Sequence, residues 1–121
     1  MPKNMSFAMT IPQIKARTKT VTRRFGWWQL KEGDVICAVE KAMGLKKGEK
    51  VVRLGMLGVK SVRREKLNAI TREDCIAEGF PDMTPEQFIS MLCKQYNCKP
   101  DRICNRIEFG YLGNQLPIEF Q

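Results

Sequence analysis

Val51-Val52-Arg53-Leu54-Gly55-Met56-Leu57-Gly58-Val59-Lys60-Ser61-Val62 alternates as a strand does, but its phase slips part-way. Val52, Leu54 and Met56 share one parity, Leu57 and Val59 the other, and Gly55 and Gly58 sit at the slip. Strand side chains alternate faces with a period of two, so a slip means an extra residue or a sharp bend. Glycine is the residue that marks either. A strand built to bend implies a curled sheet, as in a small barrel whose strands turn corners.

The flanking segments supply the remaining elements. Met5 to Thr10 reads as a short first strand with Phe7 and Met9 on one face. Ile11 to Ala16 reads as one helical turn, with Pro12 early, where its missing N–H costs nothing. Leu30-Lys31-Glu32-Gly33-Asp34 is a turn signal ahead of the β-branched strand Val35 to Val39, and Gly44 to Lys50 is a polar loop. Thr71-Arg72-Glu73-Asp74 opens a helix that Gly79 stops. Thr84-Pro85-Glu86-Gln87 opens another, whose Phe88, Ile89, Leu92 and Tyr96 recur at helical spacing and read as a packing stripe. Cys98 to Asp101 breaks that helix. Ile103 to Tyr111 alternates as a final strand, with Ile103, Ile107, Phe109 and Tyr111 on one face, and 113–121 reads as a C-terminal tail. The order is β-α-β-β-α-α-β without βαβ repetition. It predicts an α+β chain, a small and partly open β-barrel with helices packed near its mouth.

Length and composition set limits. The 121 residues suffice for one domain spanning 1–121 with one core. The net charge of +8, 21 Lys and Arg against 13 Asp and Glu, favours anionic partners such as nucleic acid. Histidine is absent, which removes the commonest general base and the commonest metal ligand. The five cysteines, Cys37, Cys75, Cys93, Cys98 and Cys104, are odd in number and none is spaced as CxxC, so reduced thiols are expected and no metal. No phosphate loop is present, and no cofactor is expected. No signal-peptide pattern or membrane-length apolar run is present, which makes a reducing cytoplasm the expected location, with no membrane partner.

One stretch concentrates chemistry. Lys15 to Arg24 carries five positive charges and three threonines, and no acidic residue occurs between Met1 and Leu30. Guanidinium forks, an ammonium and hydroxyls together suit phosphate or another planar, oxygen-rich ligand; a solvated basic turn has the same composition. Phe25-Gly26-Trp27-Trp28 follows. Tryptophans beside arginines stack bases in some proteins and fill cores in others.

Lys19-Thr20-Val21-Thr22-Arg23-Arg24 and Leu30-Lys31-Glu32-Gly33-Asp34-Val35 resemble the opening of ASCH domains, which are small PUA-like barrels. Their pattern is glycine, any residue, lysine, four residues, arginine. Lys19 and Arg24 match its last two positions, while Arg17 stands where a glycine is expected. Ile70 to Phe80, with its Glu78-Gly79 ending, Pro85-Glu86-Gln87-Phe88 and Ile107-Glu108-Phe109 extend the resemblance over most of residues 5 to 112. The resemblance implies RNA binding or a nucleoside or nucleotide ligand in a basic cleft. It also implies two alternatives: a small amidohydrolase acting on 4-N-acetylcytidine-type nucleosides through Lys19, Thr22 and Glu78, and a ribonuclease. The chemistry of that set is coherent, since a threonine hydroxyl needs a base and a lysine serves if desolvation or nearby cations lower its pKa. Two features complicate it. Residues 19 and 22 would face opposite ways on a plain strand, so a turn is needed. Glu78 sits in the last turn of a helix, where a carboxylate opposes the helix dipole. Candidate nucleic-acid contacts are Arg17, Thr20, Arg23, Arg24, Arg63 and Arg64.

Overall fold

The computed structural model describes residues 2–113. The elements run β1 (Lys3–Ser6), α1 (Ile11–Lys15), β2 (Val21–Arg24), β3 (Val35–Val39), β4 (Arg53–Lys66), a 3-10 turn (Leu67–Ala69), α2 (Arg72–Glu78), α3 (Pro85–Tyr96) and β5 (Ile103–Tyr111). They build one mixed sheet in the order β1-β3-β4-β5-β2, with β1 parallel to β3 and the other pairs antiparallel. In a flat five-strand sheet the two edges would stand roughly 19 Å apart, four strand spacings. Here Arg24 on edge strand β2 donates from Nη2 to the Ser6 carbonyl on edge strand β1 at 2.7 Å. The sheet therefore curls into the expected half-barrel, and a guanidinium bridges its open seam.

Bulges cause the curl. Between β3 and β4 the register passes from Ala38↔Gly55 to Val39↔Arg53, which leaves Leu54 as the extra residue. Between β4 and β5 it passes from Val59↔Phe109 to Ser61↔Glu108, which leaves Lys60 as the extra one. Each unpaired residue increases local twist and bends the strand. The first bulge lies at the predicted Gly55. The second lies at Lys60, not Gly58. Gly58 pairs regularly with Val35 and Gly110, and its need for a hydrogen comes from packing: a Cβ there would stand 2.9 Å from Leu112 Cδ2.

Three other expectations are corrected. The first strand is Lys3–Ser6 rather than Met5 to Thr10; Phe7 is buried but Met9 is 48% exposed. The threonine-rich stretch is itself a strand, β2, hidden from pattern reading because Val21, Thr22 and Arg23 are all buried, so no polar face alternates with an apolar one. On β5, Ile103 is exposed and Asn105 takes an inward place. The tail expected for 113–121 lies, apart from Gly113, outside the described residues.

Two apolar clusters result. Met5, Phe7, Ile14, Ile36, Ala38, Leu57, Val59, Ile107 and Phe109 fill the barrel. Leu67, Ile70, Cys75, Phe88 and Leu92 pack the helices against its mouth. Both helices start on capping boxes, Thr71 with Asp74 and Thr84 with Gln87. α2 stops at Gly79, whose φ of 98° is left-handed. Among the described residues, no helix is long and apolar enough to cross a membrane.

Candidate functional site

β2 enters the sheet from a short turn after α1, and that turn sets the site. Lys19 precedes the strand, so strand alternation does not bind it, while the Thr20 N–H donates to the Ala77 carbonyl at 2.8 Å and ties the turn to α2. The Lys19 side chain reaches the end of α2. Its ammonium donates to Glu78 Oε1 at 2.8 Å and to the Glu78 main-chain carbonyl at 2.6 Å. A cation on the last carbonyls of a helix satisfies an orphan acceptor and complements the dipole. The misplaced carboxylate of Glu78 is thus matched by an ammonium that also caps the helix.

Lys19 and Glu78 are each only 3% exposed, so neither charge is relieved by bulk water. Burial pushes the Lys19 ammonium below the ordinary lysine range, although the Glu78 carboxylate opposes the shift. Arg23 shares Glu78, with Nη1 at 3.1 Å from Oε2. Its Nη2 lies 2.8 Å from Glu65 and 2.9 Å from Asp74. Burial disfavours the Arg23 charge, but Glu78, Glu65 and Asp74 together outweigh it and raise its pKa further. Asp74 also binds Arg106 at 3.1 Å. Burial would raise the Asp74 carboxyl, yet the Thr71 N–H, Arg23 and Arg106 hold it below the usual carboxylate range.

A cleft of about 200 Å³ opens over this network between β2, the chain after β1, and α3. Lys19, Thr22, Arg24, Glu78 and the rings of Phe7, Phe80 and Tyr96 line it. Lys19, Thr22 and Glu78 therefore share one cleft, but they are not one hydrogen-bonded triad. The Thr22 hydroxyl accepts from Arg24 Nε at 3.0 Å, on the strand face opposite Arg23. Arg24 lies over Phe7 with Cζ 4.8 Å from the ring centroid, and among the described residues it pairs with no carboxylate. The cleft is consequently less basic than the sequence suggests, since carboxylates compensate Lys19 and Arg23.

The remaining candidates lie elsewhere. Thr20 is exposed and bonds through its backbone. Arg63 pairs with Glu65 at 3.1 Å on the outside of β4. Arg64 stacks on Trp28 at 5.0 Å beside a broad depression lined by Trp27, Trp28, Leu30 and Val35. Arg17 has φ of +60° and lies 5.6 Å from the Tyr111 ring, whose hydroxyl donates to the Lys19 carbonyl at 2.7 Å. Sequence reading missed Asp74, Glu65 and Arg106 as supports of the cluster. Asp74 carries a cap signal in sequence, and nothing in its spacing reveals that Oδ1 meets Arg106 while Oδ2, which accepts the cap bond from Thr71, also meets Arg23.

No protein-family model and no curated protein matches the chain. Solved structures do. The chain is similar to protein EF3133 of Enterococcus faecalis V583, assigned to the family DUF984, with a TM-score of 0.64, 15% identity, and coverage of 93% of this chain and 80% of that one. It is similar to an ASCH domain from Lactobacillus crispatus JV V101, with a TM-score of 0.60, 14% identity, and coverage of 90% and 78%. The chain has the ASCH-domain fold. A third match, hypothetical protein PH0355, has a TM-score of 0.65 at 18% identity and covers 93% of this chain and 100% of that one. Arg17, at the position where the resemblance expects a glycine, has the left-handed backbone that glycine favours, with a stacking contact on Tyr111 beside it.

Proposed function

We propose that the chain binds the base of a nucleoside, free or within an RNA strand, in the cleft between β2 and α3. The observation that supports this most is a buried Lys19–Glu78 pair opening onto a cleft of about 200 Å³ whose lining includes the aromatic rings of Phe7, Phe80, Phe88 and Tyr96. A flat heterocycle stacks on such rings and exchanges hydrogen bonds with a carboxylate and an ammonium. Glu78 has lone pairs left to accept from an exocyclic amino group, and Lys19 has a third N–H for a base carbonyl. Because Lys19 and Arg23 are compensated, the ligand's heterocycle rather than its phosphate would dominate recognition, and Arg24 is the one cleft cation suited to meet an anion.

Isothermal titration with cytidine, adenosine, uridine and their monophosphates tests this. One nucleoside should bind with saturation, its monophosphate should bind within about tenfold of it, and Thr22→Ala should weaken both. Binding of monophosphates alone, or of free phosphate equally well, would move recognition to the arginines. RNA engagement adds the exposed Arg64 on one face of β4, with Arg63 on the other; there, affinity should fall steeply with salt and Arg64→Ala should weaken it.

The second reading is the amidohydrolase, and a specific observation favours it. Burial lowers the Lys19 pKa, which moves a lysine toward base duty. Arg24 Nε donates to the Thr22 oxygen, an arrangement that leaves the hydroxyl proton free and stabilises an alkoxide. In this reading neutral Lys19 accepts the Thr22 proton, Thr22 attacks the amide carbonyl, and the proton passes to the leaving nitrogen with Glu78 orienting the lysine. Water, deprotonated by Lys19, then hydrolyses the acyl-threonine ester, and its proton returns to Thr22 as acetate leaves. Release of acetate from 4-N-acetylcytidine, lost in Thr22→Ala and retained in part by Thr22→Ser, is the expected result. No release with intact binding leaves the binding reading alone. The ribonuclease alternative has less behind it, because transition-state stabilisation at a phosphorus draws on cations aimed at it and among the cleft cations only Arg24 lacks a carboxylate partner among the described residues.

A further inference from the structure

Cys93 and Cys98 bracket the C-terminal end of α3. The helix closes on Asn97 in the left-handed conformation, φ 51° and ψ 54°. The Cys98 N–H then donates back to the Cys93 carbonyl at 3.1 Å. Such a reversal brings the side chain after the left-handed residue onto one in the last helical turn, five positions back, usually as an apolar contact. Here both members of the contact are thiols, with their sulfurs 3.9 Å apart. Both are half-buried, whereas Cys37, Cys75 and Cys104 are buried. A disulfide needs its sulfurs roughly 2 Å apart. The backbone is already closed by the hydrogen bond, so side-chain rotation covers most of the remaining distance.

As small apolar groups, two cysteines would satisfy the packing of this reversal without further consequence. The pair differs from ordinary packing in being the only two cysteine sulfurs in contact among the described residues, and in being reachable from solvent. We propose that Cys93 and Cys98 form an oxidisable dithiol, a modification site at which a low-molecular-weight disulfide produces an intramolecular crosslink. One thiolate attacks the small disulfide, forming a mixed disulfide and expelling one small thiolate. The second cysteine attacks the protein sulfur of that mixed disulfide and expels the other. Two protein thiols and one small disulfide become one protein disulfide and two small thiols, which take up the two protons. Burial, with the neighbouring Cys98 adding to it, pushes the Cys93 thiol above its ordinary pKa, so the exchange accelerates as pH rises. The crosslink pins the last turn of α3, which contributes Leu92, Gln95 and Tyr96 to the cleft wall.

The test uses the folded, reduced protein and glutathione disulfide, and does not depend on any ligand. After trapping with an alkylating agent, the protein should have lost two alkylatable thiols, and a proteolytic fragment should link Cys93 to Cys98 with the loss of two hydrogens. Cys98→Ser should stop at a mixed disulfide on Cys93. Hydrogen exchange of amides 93–98 should slow in the oxidised wild type. A persistent mixed disulfide in the wild type, a crosslink between molecules, or equal reactivity of all five cysteines would overturn the dithiol. An internal crosslink with unchanged exchange would overturn the pinning of α3.

Discussion

At the scale of single residues, the buried Lys19–Glu78 pair carries the most consequence. Removing one partner of a buried ion pair leaves an uncompensated charge, which costs about 3–5 kcal/mol, whereas replacing both is far milder. Lys19→Ala should therefore destabilise the fold by about 3 kcal/mol as well as alter the cleft, because it also uncaps the Glu78 carbonyl. Urea unfolding of Lys19→Met, Glu78→Gln and the double variant checks this: the double loss should fall well short of the sum. Additive losses would mean that the two groups do not interact energetically. Activity assays of Lys19 variants must be read against this cost, whereas Thr22→Ala breaks no buried ion pair and is the cleaner probe. Arg17 offers a second test. A side chain in left-handed backbone costs about 1 kcal/mol relative to glycine, and stacking on Tyr111 offsets part of that. Arg17→Gly should thus be more stable than Arg17→Ala by about 1 kcal/mol in thermal or urea unfolding, since both lose the stacking and only alanine keeps the strain. Equal stabilities would show that the turn relaxes.

At the scale of elements, α2 is short and is held by its ends. Its start rests on the Thr71–Asp74 capping box and its stop on Gly79, where an added Cβ would meet Gln13 Cγ at 2.8 Å. Gly79→Ala should cost more than the roughly 1 kcal/mol of left-handed strain, because Gln13 must also move and its bond to the Gly79 carbonyl would be lost. A loss below that figure in chemical unfolding would show that Gln13 yields freely. These ends were legible in the sequence because caps are local: Thr71, Pro85, Gln87 and Gly79 act on neighbours a few residues away. The bulge at Gly55 was legible for the same reason. β2 was not, since its residues are buried on both faces and one of them is an arginine whose three carboxylate partners lie on two other elements, β4 and α2. Half of the candidate site was readable, in that Lys19, Thr22 and Glu78 do line one cleft. Their mutual geometry was not, because it depends on where α2 docks, and docking is set by Asp74, Glu65 and Arg106 acting at long range.

At the scale of the whole molecule, the curled sheet and the helices are joined by a chain of charges. Arg23 on β2, Glu65 on β4, Arg106 on β5, and Asp74 and Glu78 on α2 form one connected set across the barrel mouth. Apolar clusters lie on either side of it, so the charges hold the orientation of α2 while the clusters supply burial. Arg23→Ala should be the most damaging single change in this set, because it takes one cationic partner from three carboxylates at once. The joint also has a predictable acid limit. The folded Asp74 carboxyl lies below its unfolded value of about 3.9, so the folded state binds fewer protons than the unfolded chain as pH falls toward that value. Its stabilisation is then fully present above about pH 4 and is lost as pH drops through the lowered folded value. Protonation removes one of the three carboxylate partners of Arg23 and the carboxylate partner of Arg106 together, and α2 should loosen from the sheet before the barrel core is exposed. Circular dichroism and tryptophan fluorescence followed from pH 6 down to pH 2 should show stability falling only below about pH 4. Asp74→Asn should be less stable at neutral pH and show a flatter acid limb, since the titrating group is gone. An acid limb in Asp74→Asn as steep as in the wild type would assign the transition to other carboxylates and remove Asp74 from its place as the acid-sensitive joint between helix and sheet.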